Sequence, residues 1–247
     1  MESTVRGSTR VDLTISRSSL THLTRLALNF KKISYRTEWV DHPDIERVRT
    51  SLGLPPVIFS AGSTPIYTLP ILDDPSTGTR LGDSFDIAVY LDDRYPSARP
   101  LMPPGTKGLM AAFNAYADAI FGGPGGARIL LHVHGIPFDP RTAHKSHQIF
   151  SDRTGKPWDE LGAKGERRVA LLKILESSLK PLVKMYEREE GPWFTGEEIS
   201  YADLVVGAWL RFSKETLQEG EFEQMCGWYD GFLGKIHTQL EPYAGIR

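Results

Sequence analysis

Residues 67–84 read Tyr-Thr-Leu-Pro-Ile-Leu-Asp-Asp-Pro-Ser-Thr-Gly-Thr-Arg-Leu-Gly-Asp-Ser. Tyr67 to Asp73 predicts a strand and Asp74-Pro75-Ser76-Thr77-Gly78 a tight turn, so Thr79 to Leu81 returns as the second strand of a hairpin. Ser84 then opens a helix whose apolar face is Ile87, Tyr90, Leu91 and Tyr95.

Upstream of the hairpin, Val11, Leu13 and Ile15 alternate as a first strand. Leu20, Leu23, Leu26, Ala27, Phe30 and Ile33 recur at helical spacing, with Ser18 or Ser19 able to cap that helix. Tyr35 to Val40 alternates again, rich in aromatic and β-branched residues, and reads as a strand. Pro43 opens a short helix that stops near Gly53, ahead of Pro55 and Pro56, and a turn-rich loop runs through Gly62 and Pro65. The order is β-α-β-α-β-β-α, the thioredoxin-like arrangement, filling residues 1–95.

Pro96, Pro100, Pro103 and Pro104 crowd a segment that neither a helix nor a central strand tolerates, so residues 96–106 read as a linker. Residues 107–247 are patterned as an all-helical domain. Val169, Leu172, Leu175, Leu179, Leu182, Val183 and Tyr186 share one face, with Pro181 expected to kink their helix. Ser200-Tyr201-Ala202-Asp203 has the hydroxyl-x-x-acid form of a helix start. Leu204 to Trp209 is apolar nearly all round and predicts a buried central helix, and Phe222, Met225, Tyr229, Phe232, Leu233 and Ile236 outline a last one.

The 29 Lys and Arg against 31 Asp and Glu leave a net charge of −2, which argues against a nucleic-acid or anionic-membrane binder. Cys226 is the one cysteine, so no intrachain disulfide framework exists. No apolar run approaches the ~20 residues of a membrane span. The N-terminus is rich in Ser, Thr and Arg like a transit peptide, but the alternation of Val11, Leu13 and Ile15 belongs to a strand. The expected compartment is the cytoplasm.

Several motifs carry less than they first offer. Gly82-Asp83-Ser84 looks like the start of a serine-hydrolase block, but His237 lacks an acid three residues before it, where Gly234 stands. No Gly-x-Ser-x-Gly elbow occurs either. His132-x-His134 and His144-x-x-His147 lie in a loop-like stretch without cysteines and with few acids, so no metal site is expected. Gly122 to Gly126 lacks the Lys-Ser/Thr of a phosphate loop and reads as a helix break.

The stronger signal is Leu69-Pro70 together with Asp83-Ser84. A proline opening a strand is suited to a cis peptide that frees the preceding backbone groups. An acid and a hydroxyl at a helix start offer an acceptor and a donor beside backbone N–H groups, which suits an amino-acid-like ligand.

This combination, followed by a helix ending Tyr-Leu-Asp-x-x-Tyr-Pro at residues 90–96, resembles the cytosolic glutathione transferase superfamily. Phe194-Thr195-Gly196 with Ser200 to Asp203 looks like its helical-domain capping motif. Residues 24–31 and 35–40, the hairpin, Gly155-Lys156-Pro157 and the proline-rich linker are similar to the fungal etherase-related (Fua-type) branch. The resemblance implies glutathione as co-substrate or cofactor. Pro70 would be cis, the backbone of Leu69 would pair with the cysteinyl part of glutathione, and Asp83 and Ser84 would hold its γ-glutamyl group. It also implies a possible homodimer.

That branch carries a Ser-Pro-Asn-Thr-Trp-type segment before the first helix, its serine activating the sulfur. Here the serine falls on Ser18, with Ser16 and Ser19 as alternatives of register, while Ser19, Leu20 and His22 replace Pro, Asn and Trp. The expected activity is a glutathione transferase acting on an apolar electrophile, with Tyr116, Phe121, His132 and His134 as candidates for the second pocket. Two alternatives stand beside it: a cis–trans isomerase using glutathione as cofactor, and a non-catalytic carrier of hydrophobic ligands.

Overall fold

The structure is a computed structural model and describes residues 10–15, 21–57, 65–96 and 99–246. Strands β1 (Val11–Ile15), β2 (Tyr35–Trp39), β3 (Ile71–Asp74) and β4 (Thr79–Leu81) form one sheet in the order β2-β1-β3-β4. β1 runs parallel to β2, with Val11 opposite Tyr35. A parallel neighbour requires a crossover, and helix α1 (His22–Phe30) supplies it. β3 and β4 are antiparallel and complete the predicted hairpin.

β3 begins at Ile71, four residues later than the sequence pattern starts. Pro70 has no N–H to give a ladder, and the Leu69–Pro70 peptide bond is cis. Asp74 closes the hairpin turn from a fully buried position. It accepts bonds from the Ser76 amide and hydroxyl and from the hydroxyls of Tyr90 and Tyr95. Burial alone would raise its carboxyl, but these donors outweigh it and hold it below the usual range. The two tyrosines thereby clamp helix α3 (Ser84–Arg94) to the turn; a shorter helix, α2 (Ile45–Ser51), lies between β2 and β3.

Asp92 on α3 fastens the chain as it leaves this domain. It accepts from the amides of Leu101 and Met102 and pairs with the buried ammonium of Lys31, which also donates to the Arg99 carbonyl. Beyond lie α4 (Lys107–Gly122), a 3-10 segment over 124–131, α5 (Ala143–Thr154), α6 (Trp158–Leu161), α7 (Gly165–Tyr186), α8 (Tyr201–Thr216) and α9 (Glu221–Leu240). The architecture is thus a thioredoxin-like domain followed by a helical one. Among the described residues no helix is long and apolar enough to cross a membrane.

α8 is the axle of the helical domain, packed against α1, α4 and α9. Its start is the capping arrangement read from the sequence. Asp203, fully buried, accepts from the Ser200 amide at 2.7 Å, the Ser200 hydroxyl at 2.9 Å and the Phe194 amide at 2.9 Å. Gly207 lets α9 approach closely, since a Cβ there would lie 2.3 Å from a Leu240 methyl.

Pro181 lies within α7. Three local readings change. α1 has Thr21 at its N-cap position, not Ser18 or Ser19, and no side chain caps it. α9 is interrupted at residues 228–231, where Tyr229, Asp230 and Gly231 take positive φ and the Tyr229 hydroxyl reaches the Glu176 carbonyl; three nearby glycines weaken the helix there. His144 and His147 sit in α5, not a loop, because Phe150 and His147 of that helix pack on Trp158.

Candidate functional site

A cleft of about 310 Å³ opens between the two domains. Its α/β side is made by Leu23, Val57, Thr68, Leu69, Pro70, Gly82, Asp83 and Ser84, and its helical side by Asn114, Asp118, Val205, Ala208 and Trp209. The fold therefore brings the Leu69-Pro70 and Asp83-Ser84 pairs to one surface, although the whole hairpin separates them in sequence.

Asp83 is the N-cap of α3. Its Oδ1 accepts from the amides of Phe85 at 2.8 Å and Asp86 at 3.1 Å. Both capping bonds use one oxygen, so among the described residues Oδ2 is left without a partner. Asp83 is exposed, and Ser84 beside it is half-buried.

Arg49 of α2 holds the two pairs in register, and the sequence reading missed it. Its guanidinium is buried and donates to the carbonyls of Pro55 at 2.7 Å, Thr68 at 2.7 Å and Gly82 at 2.9 Å. Thr68 and Gly82 immediately precede the two pairs. Gly82 has to be glycine for this, because a Cβ would stand 2.6 Å from the guanidinium nitrogens. Burial lowers the Arg49 pKa and nearby Asp83 partly restores it, so the group stays charged. The available signal was an arginine in helical phase with Ile45 and Leu52, on the apolar side of a short helix.

α1 meets the cleft through Leu23 in its first turn. His22, standing where the resemblance expects Trp, locks that turn to α8. Arg25 Nη2 donates to its Nδ1 at 3.1 Å, which leaves Nε2–H to donate to Glu215 at 3.1 Å. Burial would raise the Glu215 carboxyl, but the bond from His22 and the charges of Arg211 and Arg25 bring it below its ordinary range. Ser16, Ser18 and Ser19, the candidate sulfur activators, lie outside the described residues.

The helical wall is polar at one point. Trp209 Nε1 donates to Asp118 Oδ1 at 2.8 Å, and Asn114 Nδ2 donates to Asp118 Oδ2 at 2.7 Å. The Tyr201 hydroxyl in turn donates to Asn114 Oδ1 at 2.8 Å. Asp118 is open to the cleft but walled by protein. That loss of water raises its carboxyl above the ordinary range, with Trp209 and Asn114 opposing.

The four residues expected in the second pocket do not line this cleft. Phe121 is fully buried, stacked behind Trp209 with ring centroids 5.2 Å apart and planes 4° from parallel. Phe121 shares the face of α4 that carries Asn114 and Asp118, but the Trp209 ring on which it stacks takes the place on the cleft wall. Tyr116, two residues from both Asn114 and Asp118, is turned out of phase with them. His134 Nε2 meets the Trp158 carbonyl at 2.9 Å.

His132 is a core residue. Its Nδ1 contacts the Thr216 hydroxyl at 2.8 Å; because that hydroxyl donates onward to the Phe212 carbonyl, Nδ1 carries the proton. Burial, aided by the charge of Arg168, pushes its pKa down to about 4, so it is neutral at pH 7. The unfolded chain, with a pKa near ~6.5, takes up this proton first as pH falls. Its contribution to stability is therefore complete above ~6.5 and lost as pH falls toward the folded value, roughly 2 kcal/mol by pH 5. His132→Asn, which can still donate to Thr216, is expected to shrink the stability difference between pH 7 and pH 5 by about that amount in urea unfolding. An unchanged difference would assign the acid sensitivity to other groups.

Residues 17–94 match the family described as glutathione S-transferase, N-terminal domain, and residues 108–243 the family described as glutathione S-transferase, C-terminal domain. A glutathione S-transferase-like protein of Aspergillus flavus, ustS, is 28% identical over 222 residues, covering 81% of this chain and 79% of that protein. The glutathione S-transferase CsGST63524 of Ceriporiopsis subvermispora, solved in complex with glutathione, is 27% identical with a TM-score of 0.84; the match covers 96% of this chain and 98% of that one. Glutathione transferase GSTFuA2 of Phanerochaete chrysosporium is 27% identical with a TM-score of 0.80, over 97% of this chain and 100% of its own.

Proposed function

The chain belongs to the glutathione S-transferase family, and on that premise we propose that it binds glutathione in the interdomain cleft and adds the thiolate to an apolar electrophile. The observation that carries this reading is the convergence of Leu69-cis-Pro70 and Asp83-Ser84 on one cleft whose opposite wall is largely apolar. Leu69 lies outside the β3 ladder, so its backbone can pair with the cysteinyl part of glutathione. The free Oδ2 of Asp83 takes the γ-glutamyl ammonium. Ser84 and the amides at the start of α3 take the γ-glutamyl carboxylate.

The sulfur then lies toward the N-terminal end of α1, where the helix dipole favours negative charge. A serine donor from the preceding segment, Ser18 with Ser16 and Ser19 as alternatives, completes its stabilisation. Lowering a thiol from ~8.5 by two units takes ~2.7 kcal/mol, within reach of one hydrogen bond and a helix end. In the chemical step a C–S bond forms at the β-carbon of an enone and the alkene π pair moves toward the carbonyl. A proton from water then completes the adduct.

Incubation with glutathione and a candidate enone separates the outcomes. A stable conjugate identifies the transferase. A cis-to-trans change without net loss of glutathione identifies addition, bond rotation and elimination, the isomerase reaction. Binding of both ligands with neither product identifies a carrier and refutes catalysis.

Asp83→Asn keeps an N-cap acceptor but removes the charge. It is expected to weaken glutathione binding by about 30- to 100-fold, corresponding to the loss of ~2–3 kcal/mol from one ammonium–carboxylate pair, with stability within about 0.5 kcal/mol of the parent. Asp83→Ala adds about 1 kcal/mol of lost capping. Calorimetric titration and urea unfolding measure the two effects; undiminished affinity in Asp83→Asn would remove Asp83 from the ligand.

A further inference from the structure

Asp83 and Asp118 are the charged side chains among the described cleft-lining residues, and no Lys, Arg or His accompanies them there. In the reading above, Asp83 is neutralised by glutathione's ammonium. Asp118 stands on the other wall and has no cationic partner among the described residues. Its carboxylate is also held in place. The Trp209 indole that donates to Oδ1 is stacked on buried Phe121. The Asn114 amide that donates to Oδ2 is oriented by the Tyr201 phenol, itself fully buried. Each carboxylate oxygen accepts two bonds readily and has one fixed donor, so acceptor capacity remains on the side open to the cleft.

We propose that Asp118 is the specificity-determining residue for the second substrate. It accepts a hydrogen bond from a hydroxyl or ammonium group on the apolar electrophile and excludes electrophiles that carry a carboxylate. The apolar body of that molecule lies on Val205, Ala208 and the Trp209 ring, which flank Asp118 on the same wall. A carboxylate placed there would meet a fixed negative charge on a wall where no base stands among the described lining residues, whereas a hydroxyl finds an acceptor already oriented. The inference rests on the glutathione reading for the role of the cleft but makes a separate demand on it.

The test uses benzylideneacetone and its para-hydroxy and para-carboxy derivatives. Each is assayed with glutathione for kcat/KM and separately for binding by quenching of tryptophan fluorescence. The parent protein is expected to prefer the hydroxy over the carboxy compound by at least about tenfold in both readouts. Asp118→Asn, checked for folding by its thermal transition, should bring that ratio to within about threefold, mainly by admitting the carboxy compound. Asp118→Ser serves as a second uncharged variant should the amide fold poorly.

Equal treatment of the two derivatives by the parent protein overturns the proposal, as does an undiminished ratio in the folded variants. Calorimetry with glutathione alone reports on the underlying reading. If glutathione fails to bind, that reading falls, while the quenching ratio still decides the role of Asp118.

Discussion

Arg49→Met is expected to lower stability by about 3–5 kcal/mol and to weaken glutathione binding more than tenfold in the molecules that still fold. Both effects have one cause. The buried guanidinium is the common donor to the carbonyls of Pro55, Thr68 and Gly82, and methionine leaves all three without it. Hydrogen bonds to a charged donor contribute about 1.5–3 kcal/mol each, and methionine recovers part of that by filling the volume. The binding effect follows because Thr68 and Gly82 fix where Leu69-Pro70 and Asp83-Ser84 face one another. Arg49→Lys should fall between, since an ammonium keeps the charge but loses the planar fork. Urea unfolding and a glutathione titration on the same samples check both; a variant of parental stability and affinity would show that the loops hold their register without it.

Asp203→Ala should cost a similar 3–5 kcal/mol without touching the cleft directly. The carboxylate is fully buried and receives the Ser200 amide, the Ser200 hydroxyl and the Phe194 amide, so its removal orphans three donors at once and unfastens the start of α8. α8 carries Val205, Ala208 and Trp209 of the cleft wall and packs on α1, so both domains feel its loss. Asp203→Asn retains acceptor capacity and should recover part of the deficit. The midpoint of urea unfolding is the measurement. A loss under about 1 kcal/mol would mean that water or neighbouring groups satisfy those donors.

The α/β half was legible because short-range periodicity determines it. Each strand alternates or runs apolar over a few residues, and the Asp74-to-Gly78 turn punctuates the hairpin unmistakably. The Ser200-to-Asp203 cap was legible for the same reason, since its whole geometry fits within four residues. Residues 143–161 were not, because α5 has little apolar periodicity of its own. Its position depends on contacts distant in sequence, including His147 stacked on Trp158 and His42 stacked on Phe150.

The site divided along the same line. Leu69, Pro70, Asp83 and Ser84 carry local signatures of a proline-opened strand and a helix N-cap, and the structure places them together in the cleft. Arg49 acts by bridging three loops and is marked in sequence only by its place on the apolar side of a short helix, while Asp118 acts by facing a cleft from a helix and leaves no mark on its neighbours. Tyr116 and Phe121 came from the same helix as Asp118, but Tyr116 has the wrong helical phase and Phe121, in phase, is covered by Trp209. His132 and His134 drew notice as a pair, yet one serves the core and the other a Trp158 carbonyl.

The central claim is that this cleft holds glutathione as a thiolate. Titrating the protein with glutathione by calorimetry, while following thiolate absorbance across about pH 5 to 9, tests it most directly. The account predicts saturable binding and a bound-thiol pKa well below the free value of ~8.5. Binding with an unshifted thiol would contradict sulfur activation, and no binding at all would contradict the assignment of the cleft itself.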